Sequence, residues 1–163
     1  MNLSKKGFTL IELLAVIVII AIIALIGIPS VTRIIDNSRK DAIKSTALAM
    51  ANAARNVLAS DNLTVPVGVS GCSINWVDLN MESNQLPAGG AVAPTVTHVK
   101  LTQATENDPI VYTIYLYNAA TDASTYIDGQ TTTVLNATGG RDLVKINSET
   151  KVAAPAVTPT SCL

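Results

Sequence analysis

The chain is poor in charged and aromatic residues and contains little cysteine or histidine. Of its 163 residues, 14% are charged and 4% are aromatic, and there are two cysteines and one histidine. Soluble domains usually carry about 25% charged residues. The hydrophobic content of 48% and the net charge of −1 exclude a disordered chain. The balance of 11 basic against 12 acidic side chains excludes a generally basic nucleic-acid binder.

The sequence also lacks the motifs of common catalytic sites. It has no phosphate-binding glycine loop, no G-x-S-x-G nucleophile elbow and no histidine or cysteine cluster at metal-ligand spacing. The single histidine, His98, falls in a predicted strand, where a structural or surface role is commoner than catalysis. Asp122, Asp128 and Asp142 could supply calcium ligands, but they do not form an EF-hand loop. We therefore expect no enzymatic activity, no metal and no cofactor.

Apolar sequence is concentrated near the N-terminus. Residues 13–28 are 16 successive residues without a charge or a hydrogen-bonding side chain. Residues 8–35 have few polar interruptions and would reach about 42 Å as a helix. The hydrocarbon core of a bilayer is about 30 Å thick. This segment is therefore predicted to be a helix that can span a membrane.

Composition leaves three interpretations of this segment open. Lys5 and Lys6 favour a cleaved secretory signal, but no pair of small residues closes the apolar run, and Glu12 interrupts it. A plain membrane anchor explains the length but not Glu12, because an ionisable group in the bilayer costs roughly 3 kcal/mol and marks a functional site by default. The third interpretation is an anchor with a second role. Lysine and arginine counting does not fix the orientation, because basic residues flank both ends.

A more specific signal is the string KKGFTLIE at residues 5–12, followed directly by the apolar run. It resembles the N-terminus of type IV pilins and pseudopilins, in which a prepilin peptidase cuts a short basic leader after its last glycine. The resemblance covers about the first third of the chain. It implies cleavage after Gly7, N-methylation of Phe8, and a cytoplasmic leader at residues 1–7 with the remainder outside. The short leader is similar to that of the type IVa subgroup.

The resemblance also implies roles for Glu12, Gly27 and Pro29. In the family, the glutamate neutralises the N-terminal amine of a neighbouring subunit, here that of Phe8, because each charge is costly alone in an apolar bundle. Pro29 lacks a backbone donor, so a kink or a local loss of helical hydrogen bonds is expected near Gly27 and Pro29. The family melts its long helix near this position on assembly. An ordinary membrane-helix proline is the alternative.

The rest of the chain is predicted to be a half-buried helix followed by a sheet. Apolar residues recur every three or four positions from Ile43 to Val57, and the helix is expected to end near Asp61 and Asn62. The fold class is α+β, with a long N-terminal helix, membrane-spanning in its first half, packed against a C-terminal antiparallel sheet in a pilin-like arrangement. Four strands are predicted after a loop-rich segment at residues 72–94, namely at residues 95–102, 110–117, 131–135 and 143–146. The expected divisions are a leader (1–7), a transmembrane or filament-core half of the helix (8–35), an amphipathic half (36–60) and a β-rich head (61–163).

Two cysteines in a chain that is predicted to be exported are most simply a disulfide. A bridge between Cys72 and Cys162 would pin the C-terminal tail. Its loop is wider than the bridges common in pilins, so a free or intermolecular pair remains an alternative.

Together these features predict a structural subunit of a type IV pilus, which serves adhesion, motility or DNA uptake. Its expected partners are further copies of itself in a helical homopolymer, the prepilin peptidase, the inner-membrane pilus assembly machinery, and membrane lipid before assembly. It would be a single-pass precursor in the cytoplasmic membrane and then part of an extracellular filament. No specific nucleic-acid binding is expected, because only four basic residues follow Ser60. The alternatives are a pseudopilin of a type II secretion or competence system and a monomeric membrane-anchored binding module.

Overall fold

The computed structural model describes residues 7–81, 86, 90–118, 125–146 and 160–162. The chain divides into two compact units, Met1–Asp36 and Asn37–Leu163. The first unit is helical wherever it is described from Leu10 onwards, and the second contains a helix and a sheet.

Helix α1 runs over Leu10–Ser60, a length of 51 residues. Its end matches the sequence prediction. Asn62 has a φ of 54°, and the N–H of Leu63 donates to the carbonyl of Leu58 at 3.2 Å. This is the Schellman arrangement, in which a residue in the left-handed conformation closes the last turn of a helix. Asparagine tolerates that conformation better than most residues do.

Four antiparallel strands form one sheet in the order β1-β2-β3-β4. Each strand is the sheet neighbour of the strand that precedes it in the chain, so the sheet is a simple meander. The strands are β1 (Gly68–Asn75), β2 (His98–Gln103), β3 (Val111–Tyr117) and β4 (Tyr126–Thr131). A short helix, α2 (Thr132–Asn136), and a 3₁₀ turn at Gly140–Leu143 follow.

The core of the second unit lies between one face of α1 and one face of the sheet. Small and medium side chains at helical spacing are fully buried on α1 and belong to the same core cluster as the strands. They are Ile43, Ala47, Met50, Ala51 and Ala54. Alternate positions of the strands meet them, as expected for a sheet with one buried face, and these are Cys72, Ile74, Val99, Leu101, Tyr112, Ile114, Leu116 and Ile127.

Two contacts at the surface of the second unit join α1 to the residues that follow it. Arg141 donates from Nε and Nη2 to the two carboxylate oxygens of Asp41, both at 2.6 Å. The Asp41 carboxylate raises the pKa of Arg141 through these hydrogen bonds. The guanidinium of Arg55 lies 4.8 Å from the ring centre of Tyr112. Both contacts are at the edge of the core, where ion pairs and cation–π contacts contribute modestly.

Several predicted strand positions were wrong. Residues 131–135 are not a strand, because Thr131 ends β4 and its hydroxyl accepts from the N–H of Val134, which caps α2. Residues 143–146 make only an isolated bridge at Lys145. The predicted loop at residues 72–94 begins inside β1, and both β1 and β4 were missed. The predictions for β2 and β3 were correct in type, although β2 begins at His98 rather than at residue 95.

Each outer strand of the sheet is paired at one position with a chain segment outside the strands. On the β4 edge, Tyr126 and Lys145 exchange two backbone hydrogen bonds, each 3.0 Å long. On the β1 edge, Ser161 forms a parallel bridge with Ser73. At these two positions the edge does not offer unpaired backbone groups to other chains.

Candidate functional site

The candidate site at the start of α1 centres on a hydrogen-bonded pair, Thr9 and Glu12. The backbone N–H and the hydroxyl of Thr9 both donate to Oε2 of Glu12, each at 2.8 Å. The N–H of Glu12 donates in return to the Thr9 hydroxyl at 3.3 Å. This reciprocal pattern is a capping box, which satisfies backbone donors that the first helical turn leaves without partners.

Gly7 and Phe8 precede this cap and are not helical. The Phe8 side chain is 88% exposed, and no heavy atom lies within 4 Å of the place where a Cβ of residue 7 would be. The peptide bond that joins the two residues is therefore accessible. Glu12 lies four residues after Phe8, in the first turn of α1.

An extensive apolar surface surrounds Glu12 and continues along the helix of the first unit. The large hydrophobic side chains from Phe8 to Ile35 are all between 45% and 88% exposed. By length and composition, α1 can cross a membrane, and none of its most apolar window is buried. Apolar patches of this extent are rare on soluble monomers and indicate contact with lipid or with other protein surfaces.

Gly27 and Pro29 lie within α1, which continues through both positions. The backbone of Pro29 has no N–H to donate to the carbonyl of Leu25, so the helix lacks one hydrogen bond there. One turn later, the hydroxyl of Thr32 donates to the carbonyl of Ile28 at 3.0 Å. Hydroxyl bonds of this kind are associated with bending of helices. The proposed melting at this position on assembly stays a prediction.

The predicted disulfide is present in the second unit. Cys72 and Cys162 are joined, with their Cα atoms 5.1 Å apart and a sequence separation of 90 residues. Cys72 is buried in β1, whereas Cys162 is half-buried beside it. No cysteine is left free.

His98 and Asp128, two other candidates from the sequence, make contacts typical of structural residues. His98 is almost fully buried in β2, its Nδ1 lies 2.9 Å from the carbonyl of Val96, and its ring stacks on that of Tyr115 at 4.6 Å. Burial lowers the pKa of His98. Asp128 accepts a hydrogen bond from Tyr117 Oη at 2.8 Å, and burial raises the pKa of that tyrosine. Within the described ranges, no three histidine, cysteine or acidic residues come together as a metal site. Asp122 lies outside those ranges.

Sequence reasoning missed the part that Thr9 plays in this site. The pattern Thr-x-x-Glu just before an apolar helix is the signature of a capping box and could have identified it. The pairing of Asp41 with Arg141 had no such signal, because 100 residues separate the two positions.

Comparison with known proteins gives a match that falls on this site. Residues 2–28 match the family model of the prokaryotic N-terminal methylation motif. The matched segment includes Gly7, Phe8, Glu12 and Gly27, and it ends directly before Pro29. No curated protein and no solved structure matches the chain.

Proposed function

We propose that this chain, which its N-terminal methylation motif and α+β architecture identify as a type IV pilin-like or pseudopilin protein, is a structural subunit of a type IV pilus. It is cleaved after Gly7, N-methylated at Phe8, and polymerised through its N-terminal helix into an extracellular filament. Adhesion, motility or DNA uptake would be properties of the filament. The chain catalyses no reaction in this scheme, and it requires no cofactor.

The observation that carries this proposal is the position of Glu12. Its carboxylate lies in the first turn of a helix whose large hydrophobic side chains are exposed as far as Ile35. A carboxylate in such surroundings is stable only when it is paired or hydrogen-bonded. Thr9 donates to one of its oxygens, Oε2. The amine of Phe8 from a neighbouring subunit would supply the opposite charge.

Cleavage after Gly7 creates that amine. Before cleavage the nitrogen of Phe8 is a neutral amide, and afterwards it is a cation at the end of an exposed, non-helical segment. The leader also carries Lys5 and Lys6, and its removal leaves nine basic and twelve acidic side chains. Because a buried ion pair contributes more to alignment than to stability, the pairing of Glu12 with Phe8 would set the register between subunits.

The exposed apolar surface of α1 is suited to two successive environments. In the membrane these side chains contact lipid, and in the filament they contact the helices of other subunits. Since lipid tails and aliphatic side chains are similarly apolar, the exchange is driven by packing rather than by a hydrophobic difference. The prepilin peptidase and the inner-membrane assembly machinery are the expected partners in this exchange.

A pseudopilin of a secretion or competence system is the second candidate, because the methylation motif is common to both classes. The size of the head and its disulfide favour a pilin. A monomeric membrane-anchored binding module is the third candidate, and it would need neither cleavage nor Glu12.

The test is intact mass spectrometry of material sheared from the surface of the native host. The wild-type chain should begin at Phe8, carry one added methyl group and lack two hydrogens because of the disulfide. The variant Glu12→Gln keeps the size of the side chain but not its charge, and it should be processed yet absent from the sheared fraction. Glu106→Gln removes an exposed carboxylate of the β2–β3 loop and should assemble normally.

Other outcomes would overturn the proposal in distinguishable ways. A chain that begins at Met1 and stays in the membrane fraction would be an anchored module. Processed chain that never reaches the sheared fraction, together with a secretion defect on its deletion, would be a pseudopilin. Normal assembly of Glu12→Gln would remove the role of charge pairing.

A further inference from the structure

Residues 160–162 lie along the edge of β1 that faces away from β2. The N–H of Ser73 donates to the carbonyl of Thr160 at 2.9 Å, and the N–H of Cys162 donates to the carbonyl of Ser73 at 3.0 Å. On its other side, Ser73 is paired with Lys100 of β2. The segment is thus joined to the edge of the sheet by one isolated parallel bridge, between Ser161 and Ser73.

The two backbone hydrogen bonds of this bridge hold the segment only weakly. Two backbone hydrogen bonds contribute little net free energy, and fixing three residues costs conformational entropy of similar or larger size. The Cys72–Cys162 disulfide joins this segment covalently to the residue next to Ser73. The opposite edge differs, because Lys145 directly follows the fully buried Val144, which anchors it without a disulfide.

We propose that the Cys72–Cys162 disulfide is a redox latch that keeps the outer edge of β1 closed at Ser73. A thiolate of a dithiol reductant attacks Sγ of the half-buried Cys162 and releases Cys72 as a thiolate. The second thiol of the reductant then displaces Cys162 and closes the reductant's own disulfide. Cys72 and Cys162 each take up one proton, and the dithiol loses two hydrogens.

Reduction detaches residues 160–162 and exposes the backbone N–H and carbonyl of Ser73. The sheet stays folded, because its buried face packs against α1 through side chains such as Ile74, Leu101 and Ile114. An open strand edge is a template for pairing with another extended chain. The latch therefore keeps β1 closed to such pairing while the protein is in an oxidising compartment.

Hydrogen exchange of the full chain in detergent micelles, before and after reduction with dithiothreitol, tests this inference. The amides of Ser73 and Cys162 should exchange at least about tenfold faster after reduction, because the fraction of molecules in which they are open rises by that factor. The amides of Ile114, Tyr126 and Lys145 should not change. The double variant Cys72→Ser/Cys162→Ser, without reductant, should reproduce the reduced pattern and exclude an effect of the reagent.

Two results would overturn the latch. Unchanged protection of Ser73 after complete reduction would mean that residues 160–162 dock without the disulfide. A simultaneous rise at Ser73, Ile114 and Lys145 would mean that the bridge stabilises the whole head. Neither result bears on filament assembly, so this inference and the proposed function can fail separately.

Discussion

Glu12 has hydrogen-bond donors within its own chain before any neighbour arrives. Both donors come from Thr9 and end on one carboxylate oxygen. This arrangement partly offsets the cost of a carboxylate at the start of an apolar helix, and it fixes where that helix begins. The same residue thus has a local structural role as well as the assembly role that we propose for it.

Residues in local patterns could be predicted from the sequence, whereas the distant pair of Asp41 and Arg141 could not. Gly7, Phe8 and Glu12 stand at fixed spacing in one short string, so the string alone was enough to predict their roles. The contact of Asp41 with Arg141 depends on how the chain folds between them, and neither residue is unusual in its own neighbourhood. The pairing of Cys72 with Cys162 was predictable only because the chain has two cysteines.

At His98 we predict a loss of stability in mild acid. Burial lowers its pKa in the folded chain, and Lys100 on the same strand acts in the same direction, while the carbonyl of Val96 opposes them. The unfolded chain takes up the proton near the usual value of about 6.5. The neutral ring therefore stabilises the fold fully above that pH, and this contribution is lost as the pH falls through it.

The measurement is urea unfolding in detergent between about pH 8 and pH 5, the range in which histidine titrates. The fluorescence of Trp76, the single tryptophan, reports unfolding. His98→Phe keeps an aromatic ring beside Tyr115 but does not titrate. Below pH 6.5, the wild type should lose up to about 1.4 kcal/mol per pH unit relative to this variant. Parallel curves for the two proteins would contradict the prediction.

Helix α1 shows how far periodicity predicts an element. Its buried stripe and its end near Asn62 followed from spacing and from a residue that tolerates the left-handed conformation. The run at residues 131–135 was misassigned because threonine and valine favour strands in general. There the Thr131 hydroxyl caps a helical turn and Leu135 is fully buried, so local capping and tertiary packing outweigh the propensity. Strand β1 was missed because its glycines and serines give no alternating pattern.

The burial of one face of α1 predicts different costs for the same substitution on its two faces. Ala47 is fully buried against the sheet, whereas Ala49 is exposed on the opposite side. Ala47→Leu should lower the free energy of unfolding by about 1–3 kcal/mol, because three added carbons have no space. Ala49→Leu should change it by less than about 0.5 kcal/mol. Urea unfolding of the two variants measures both, and equal values would show that the helix does not pack as described.

At the scale of the whole molecule, the two units need different surroundings. The second unit buries its apolar side chains between helix and sheet, whereas the first leaves its own uncovered. Apolar area of this extent is costly in water. A single copy therefore has to be in lipid, in detergent or among other apolar helices, and this requirement is independent of which system the protein serves.

The Cys72–Cys162 bridge also determines how far the chain can be stretched. Load applied at the two termini passes through the disulfide and bypasses the residues between the cysteines. Their separation of 90 residues corresponds to about 300 Å of extended chain. A single molecule pulled from its ends should therefore lengthen by about 300 Å more after reduction than before it, and equal lengths would mean that the bridge had not formed. Under tension, the oxidised chain has a maximal length set mainly by the residues that precede Cys72.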